Sequence, residues 1–98
     1  MVVGAMLVRL HLPASESLKD KRQVVKSLIA RLGNQFGVAV AEIGELNTWQ
    51  IAELGVSCVS NQPAQVDRVL DSVLKYIEET RPDVEILTAD RESLRVFD

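Results

Sequence analysis

The segment from residue 17 to residue 22, SLKDKR, places Lys19, Lys21 and Arg22 close together in an acidic chain. Lys26 follows one helical turn later if the segment is helical. Residues 19, 22 and 26 would then share one flank of the helix, where three cations could contact successive phosphates of a nucleic acid backbone. The alternative is an ordinary solvated flank. The spacing therefore indicates a candidate site for nucleic acid or another anion.

Lys21 differs from the other cations because it falls on the apolar arc of the same helix, between Leu28 and Leu32. Its stem could lie along the end of a sheet while its ammonium reaches water or a carboxylate. Alternatively, the ammonium could bind an anion beside the helix N-terminus, where free amide groups and the helix dipole favour negative charge. The sequence leaves both interpretations open.

Three residue types occur once each and could also carry chemistry: Trp49, His11 and Cys58. The tryptophan could stack on a base or anchor a partner, or it could close the end of the core with its indole N–H bonded to backbone. One histidine and one distant cysteine do not make a zinc site. Cys58 is in phase with Leu54 and Val56, which predicts a buried, inert thiol.

Known catalytic patterns are absent from the sequence. It contains no glycine-rich phosphate loop, no G-x-S-x-G element and no Ser/His/Asp set that a fold would bring together. The segment after the first predicted strand reads LPASES, where acylphosphatases of similar topology carry a Gly-Arg-rich loop. We therefore expect no enzyme activity, no cofactor and no metal.

The charge distribution is uneven along the chain. The net charge is -3, but residues 1 to 36 carry six cations and two anions, whereas the remainder carries five cations and twelve anions. Such segregation could give an acidic protein a local positive field for phosphate or nucleic acid. It could equally allow the basic face of one copy to meet the acidic face of another.

Length and composition predict one globular domain over residues 1–98. With 47% hydrophobic and 26% charged residues, the chain can bury a modest core. The opening run MVVGAMLVRLHL lacks a basic segment before it and is too short and too charged to span a bilayer, so we interpret it as a strand. The single cysteine favours a cytoplasmic protein.

Hydrophobic periodicity predicts four strands and two helices. Ser17 should cap helix one with Asp20 in its first turn, and Gly33 or Gly37 should end it. Asn47 suits the turn of a hairpin, Ser60 or Asn61 should cap helix two, and Pro63 fits its first turn. The predicted strands span about residues 2–12, 38–44, 50–60 and 84–89, and LRVF near the end is a candidate for a short edge strand.

The order βαββαβ predicts an α+β, ferredoxin-like sandwich, with a four-stranded antiparallel sheet in the order 4-1-3-2 and two helices on one face. In this topology the start of helix one and the hairpin lie at the same end of the molecule. The residues expected in that neighbourhood are His11, Lys19, Lys21, Arg22, Asn47, Trp49 and Arg81.

The sheet face opposite the helices should be largely apolar. Its predicted members include Leu7, Arg9, His11, Ile51 and Glu53, with Arg9 and Glu53 as a possible cross-strand pair. RNA-recognition domains of this fold carry stacking aromatics on their central strands, and here these positions are aliphatic or charged. A homodimer formed through the open sheet face is the more economical interpretation.

Two separated motifs resemble the YlxP-like family of small bacterial domains of unknown function: SLKDKR after LHLP, and VAVAEIGELNTWQIAELGVSCVSN. The similarity extends to about Val84. The family pattern S-L-K-x-K-R matches Ser17, Leu18, Lys19, Lys21 and Arg22, its W-Q pair matches Trp49 and Gln50, and its V-S-N matches Val59, Ser60 and Asn61. An aspartate common in the family appears here as Asn47, which weakens any acid-base or metal-binding role for the hairpin.

The resemblance implies a ferredoxin-like fold and, because genes of this family often lie beside those of translation factors, a ribosome- or RNA-associated role. We therefore expect a non-enzymatic binding domain with no membrane association. Its candidate nucleic-acid or anion site comprises Lys19, Lys21, Arg22, Lys26 and Trp49. Two alternatives stay open: a homo-oligomeric protein-interaction or ligand-sensing module, and an enzyme in which Lys21 and Arg22 clamp a phosphorylated small molecule.

Overall fold

The computed structural model describes residues 1–97 and has the element order β-α-β-β-α-β. Ser17 and Gly37 begin and end the first helix as expected, and Gly37 adopts the left-handed conformation that favours glycine at this position. The elements are β1 (Val2–His11), α1 (Leu18–Phe36), β2 (Ala39–Gly44), β3 (Ile51–Ser60), α2 (Pro63–Thr80) and β4 (Glu85–Arg95).

The four strands form one antiparallel sheet in the order β2-β3-β1-β4, which confirms the predicted topology. β1 is central and pairs along its whole length with both β3 and β4. On one side, Leu7 pairs with Gly55 and Arg9 pairs with Glu53. This register decides which side chains lie next to one another on the open face of the sheet.

The core lies between the inner face of the sheet and the two helices. Strands supply alternate residues, as the two-residue period of a strand requires, and the helices supply residues at a spacing of three or four. The fully buried side chains include Val8, Leu10, Leu54, Leu32, Leu70 and Ile77. α2 packs very closely against β1, since a Cβ added at Gly4 would lie 2.2 Å from Val66 Cγ1.

Two details differ from the sequence-based expectation. β4 continues from Glu85 to Arg95 instead of ending near residue 89, because its polar second half is still paired with β1. Gln62, not Ser60 or Asn61, is the N-cap of α2, and Ser60 Oγ instead accepts a hydrogen bond from Gln62 N at 3.1 Å. In the β2–β3 hairpin, Asn47 lies in the turn as expected, and the residue with left-handed backbone is Glu45.

Candidate nucleic-acid interface and open sheet face

The N-terminus of α1 is closed by a reciprocal pair of side-chain caps. Asp20 N donates to Ser17 Oγ at 3.0 Å, and Glu16 N donates to Asp20 Oδ2 at 3.0 Å. This resembles a capping box, except that the Asp20 carboxylate accepts from Glu16, the residue before the Ser17 N-cap, and not from the N-cap itself. Two of the amide groups that could bind an anion at this helix end are therefore already used by the chain itself.

Lys21 is fully buried, with no exposed surface. Its Nζ donates to Glu45 O at 2.6 Å and to Ile51 O at 3.1 Å, and it lies 3.0 Å from Glu42 Oε2. The contact with Glu42 is an ion pair without hydrogen-bond geometry, because Glu42 Oε2 is buried and accepts no hydrogen bond. The ammonium thus reaches neither water nor an external anion, so Lys21 lies apart from the exposed candidate surface.

Lys21 and its oxygen partners join α1 to both ends of the β2–β3 hairpin. The sequence did not lead us to predict Glu42 as the partner of Lys21, although its position in β2 pointed to a buried carboxylate. It is in phase with Val38 and Val40, so its carboxylate interrupts the inward-facing apolar row of β2. A single inward anion on β2 and a single inward cation on α1 are the pattern expected of a buried pair.

Gln50 ties the same hairpin to the loop between β1 and α1. Its side-chain Nε2 donates to Ser15 O at 3.1 Å and to Pro13 O at 3.4 Å, while its backbone carbonyl accepts from Leu12 N at 2.8 Å. Trp49, the preceding residue, is therefore held beside the loop that leads into α1. Its side chain stays 52% exposed, so it does not close the core.

The cations of α1 that point outward are unpaired within the described residues 1–97. Lys19, Arg22 and Lys26 are exposed on one flank, and Arg31 is exposed further along the helix. No carboxylate of the described chain forms an ion pair with any of them. Elsewhere, cations are largely paired with carboxylates: Arg9 with Glu45, Lys75 with Glu79, Arg81 with Asp83, and Arg91 with Asp67 and Asp71.

Residues predicted to share this end of the molecule lie there, but His11 and Arg81 are each paired with a carboxylate. Lys21 reaches the hairpin that carries Asn47 and Trp49, as the topology predicts. His11 pairs in register with Ile51 at the start of β3, and its Nδ1 lies 3.3 Å from Glu85 Oε2. Arg81 binds Asp83 at 2.7 Å, and Asp83 and Asp20 line a small cavity of about 80 Å³. Carboxylates therefore occupy the part of this end nearest to β4.

The open face of the sheet carries the remaining candidate residues: Leu7, Arg9, His11, Ile51 and Glu53. Arg9 binds Glu45 at 3.4 Å and not its cross-strand neighbour Glu53, so the expected pair within one sheet is not formed. No residue of the described chain binds the carboxylate of Glu53. A shallow depression of about 630 Å³ crosses this face over Ala5, Leu7, Ala41, Ile43 and Gly55.

The structure adds little other chemistry to this site. Burial raises the pKa of the half-buried Cys58 thiol, and a backbone hydrogen bond with Gly4 partly offsets this effect. Such a thiol stays protonated at neutral pH. Within residues 1–97, no cluster of His, Cys, Asp and Glu has the arrangement needed to hold a metal ion. Neither α1 nor α2 is both long and apolar enough to cross a membrane.

Comparisons with solved structures support the fold alone. The chain aligns with a de novo designed protein with ferredoxin fold at a TM-score of 0.61 and 13% identity, covering 100% of this chain and 89% of the designed one. It also aligns with a segment of an amidase of the hydantoinase/carbamoylase family from Burkholderia phymatum, at a TM-score of 0.55 and 12% identity. That alignment covers 96% of this chain and 28% of the amidase.

Sequence comparisons identify the family. Uncharacterized protein YlxP of Bacillus subtilis (strain 168) is 39% identical over 69 residues, which is 70% of this chain and 74% of YlxP. The model of the family described as "Protein of unknown function (DUF503)" matches residues 3–91. The match includes the α1 flank, the buried lysine and the hairpin. The chain therefore belongs to the DUF503 family of proteins of unknown function, of which it is a YlxP-like member.

Proposed function

We propose that this protein is a non-enzymatic binding domain that contacts single-stranded RNA through Lys19, Arg22 and Lys26 of α1, with Trp49 stacking on a base. The observation that carries the proposal is the concentration of exposed, unpaired cations on α1 in a chain of net charge -3. An acidic protein that leaves these cations without carboxylate partners keeps them available for an external polyanion.

The spacing of the three cations suits a phosphate backbone. Lys19 and Lys26 are separated by seven residues, which is about 10 Å along a helix axis. Arg22 lies between them on the same flank. A row of this length can follow a strand whose negative charges repeat along its backbone, and it provides affinity without reading the sequence.

Trp49 favours a single strand over a duplex. Trp49 is half-exposed at the hairpin and precedes Gln50, which is bonded to the loop that leads into α1. A base can stack on an exposed ring only when it is turned out of a helix, as in loops and single strands. Single-strand binding that tolerates many sequences uses cations to contact the backbone and aromatic rings to stack on bases. Both are present on this surface.

Lys21 positions the hairpin relative to α1 and does not itself contact the RNA. Its ammonium holds the carbonyl groups of Glu45 and Ile51, one on each side of the hairpin. The hairpin carries Trp49, and the helix carries the exposed cations. The buried lysine therefore fixes the tryptophan relative to the basic flank without touching the RNA.

The binding test uses two double variants with the same change in net charge. Arg22→Ala/Lys26→Ala should weaken the binding of a fluorescent single-stranded RNA about 25-fold at about 0.1 M salt, because each lost phosphate contact costs about fivefold there. Arg68→Ala/Lys75→Ala removes two exposed cations from α2 and should change the affinity less than about twofold. Fluorescence anisotropy measures both.

Equal losses in the two variants would mean that only the net charge matters, and would contradict an interface on α1. Absence of RNA binding by the unmodified protein at low salt would contradict the proposed function itself. The emission of Trp49, the only tryptophan in the chain, gives a second readout in the same titration, because stacking on a base should quench it.

A further inference from the structure

The open face of the sheet is uncovered in the single chain, since both helices pack on the other side. Several large apolar side chains project from it, at exposures of 56% for Ile43, 63% for Val59 and 63% for Leu94. Leu7 is 37% exposed at the middle of the central strand. An apolar surface that crosses a whole sheet is larger than a monomer usually leaves in water.

We propose that a second copy of this chain covers the open face, forming a dimer whose two-fold axis runs parallel to the strands between β1 and β3. The area agrees with this occupant. Four strands about 4.8 Å apart, with a central strand of ten residues, present about 600 Å² per copy. Two such faces bury about 1,200 Å², the low end of specific interfaces, and we therefore expect a dissociation constant in the micromolar range.

The symmetry gives a simple contact rule. A two-fold axis parallel to the strands places β3 of one copy over β1 of the other at the same height along the strands. Each β3 residue then faces, in the partner copy, the residue with which it is paired in its own sheet. Gly55 therefore faces the partner's Leu7, because Leu7 and Gly55 are register partners.

This contact is complementary in shape. Leu7 is a projecting side chain, whereas the opposing surface is the shallow depression of about 630 Å³ floored by Ala41, Gly55 and Ala5. Glycine and alanine leave room above the sheet, and the Ile43 side chain, which would lie 3.3 Å from a Cβ at Gly55, forms one wall of this room. The axis passes near this row, so each Leu7 enters the depression of the other copy.

The contact is also complementary in charge. Glu53 and Arg9 are register partners, so Glu53 faces the partner's Arg9, and the symmetry repeats the pair. Glu53 has no ion pair within the described residues, and Arg9 makes one contact of 3.4 Å with Glu45. Arginine has five N–H donors and can bind both carboxylates. The dimer thus gives an ion-pair partner to Glu53, which has none within the described part of its own chain.

Charge also selects this orientation over the other two-fold arrangement. An axis perpendicular to the strands places each strand over its own copy, and when it passes through the Leu7 row it brings Asp90 against the partner's Asp90. The parallel axis places Asp90 over Ala41 of the partner, at the outer strand near solvent. Like charges in contact are unfavourable, and the outer position keeps this carboxylate hydrated.

The first experiment measures the monomer–dimer equilibrium by sedimentation across the micromolar range. Leu7→Asp should weaken the dimer at least 30-fold, because it places a carboxylate at the centre of an apolar contact. Leu46→Asp is the matched control. Leu46 is 55% exposed at the hairpin, outside the four strands, and its substitution should leave the equilibrium unchanged. Circular dichroism checks that each variant is folded.

The second experiment keeps the proposal testable even if Leu7→Asp unfolds. At positions 9 and 53, a chain with Arg9→Glu presents only carboxylates, and a chain with Glu53→Arg presents only guanidinium groups. Each alone should dimerise at least tenfold more weakly than the unmodified protein. Mixed together, they should form a heterodimer, because both contacts across the axis are then between opposite charges.

A protein that stays monomeric over this range would overturn the proposal. So would a dimer that Leu7→Asp leaves intact, or two charge variants that do not associate when mixed. A monomer whose open face binds an apolar dye would also overturn it, because no second copy would then cover the face. The α1 flank lies on the opposite side of the sheet, so RNA binding and dimer formation can each fail independently.

Discussion

Replacing Lys21 by methionine should lower the free energy of unfolding by about 3–5 kcal/mol, the range observed when one partner of a buried ion pair is removed. Methionine can fill the space of the lysine stem, but it cannot donate to the carbonyl groups of Glu45 and Ile51. It also leaves the carboxylate of Glu42 buried beside an apolar group. Urea denaturation measures the loss.

The control is Lys19→Met, two residues away on the exposed flank, which should change the free energy of unfolding by less than about 0.5 kcal/mol. The double variant Lys21→Met/Glu42→Leu should recover part of the loss, because it removes the unpaired charge and leaves only the two carbonyl groups without a donor. A Lys21→Met protein as stable as the Lys19→Met protein would contradict the buried position.

Gly4→Ala should lower the free energy of unfolding by about 1–3 kcal/mol, the usual cost of forcing an extra methyl group into a packed core. The new Cβ would lie 2.2 Å from Val66 Cγ1, and the short valine side chain cannot move away without a shift of α2. Val66→Ala removes the opposing group. The double variant should therefore lose less stability than the two single variants added together.

Gly33→Ala is the matched substitution with the opposite expected sign. Gly33 lies inside α1 without a left-handed backbone, and an added Cβ would meet Val38 O at an ordinary distance of 3.6 Å. Alanine should therefore stabilise the protein by about 0.4–1 kcal/mol. Thermal denaturation of both variants, side by side, distinguishes close packing at Gly4 from a general effect of glycine substitution. Equal shifts of the melting temperature, with the same sign in both variants, would contradict close packing at Gly4.

Most of the fold could be predicted because its signals are local and repeated. The two-residue period of β1 and β3 and the apolar stripes of α1 and α2 lie in contiguous segments. Topology rules for βαβ connections then leave few arrangements of four strands. The second half of β4 was missed because an edge strand has few buried residues, so its charged side chains resemble those of a loop.

The candidate site was harder to predict because it depends on pairing between distant elements. The position of Lys21 on the apolar arc was correct, but its ammonium binds oxygens from three residues that are 21 to 30 positions away in the sequence. Solvent-exposed cations need no partner, so Lys19, Arg22 and Lys26 could be placed from helical spacing alone. The exposure of Trp49 could not be decided from sequence, because the sequence left open whether the ring closes the core or faces solvent.

The salt dependence of RNA binding tests the proposed interface most directly. The logarithm of the association constant should fall with the logarithm of salt concentration with a slope of about -2 for the unmodified protein, as expected for three phosphate contacts on a single strand. For Arg22→Ala/Lys26→Ala, which retains one of the three, the slope should be about -0.7. The same slope in both proteins would contradict an RNA interface on α1.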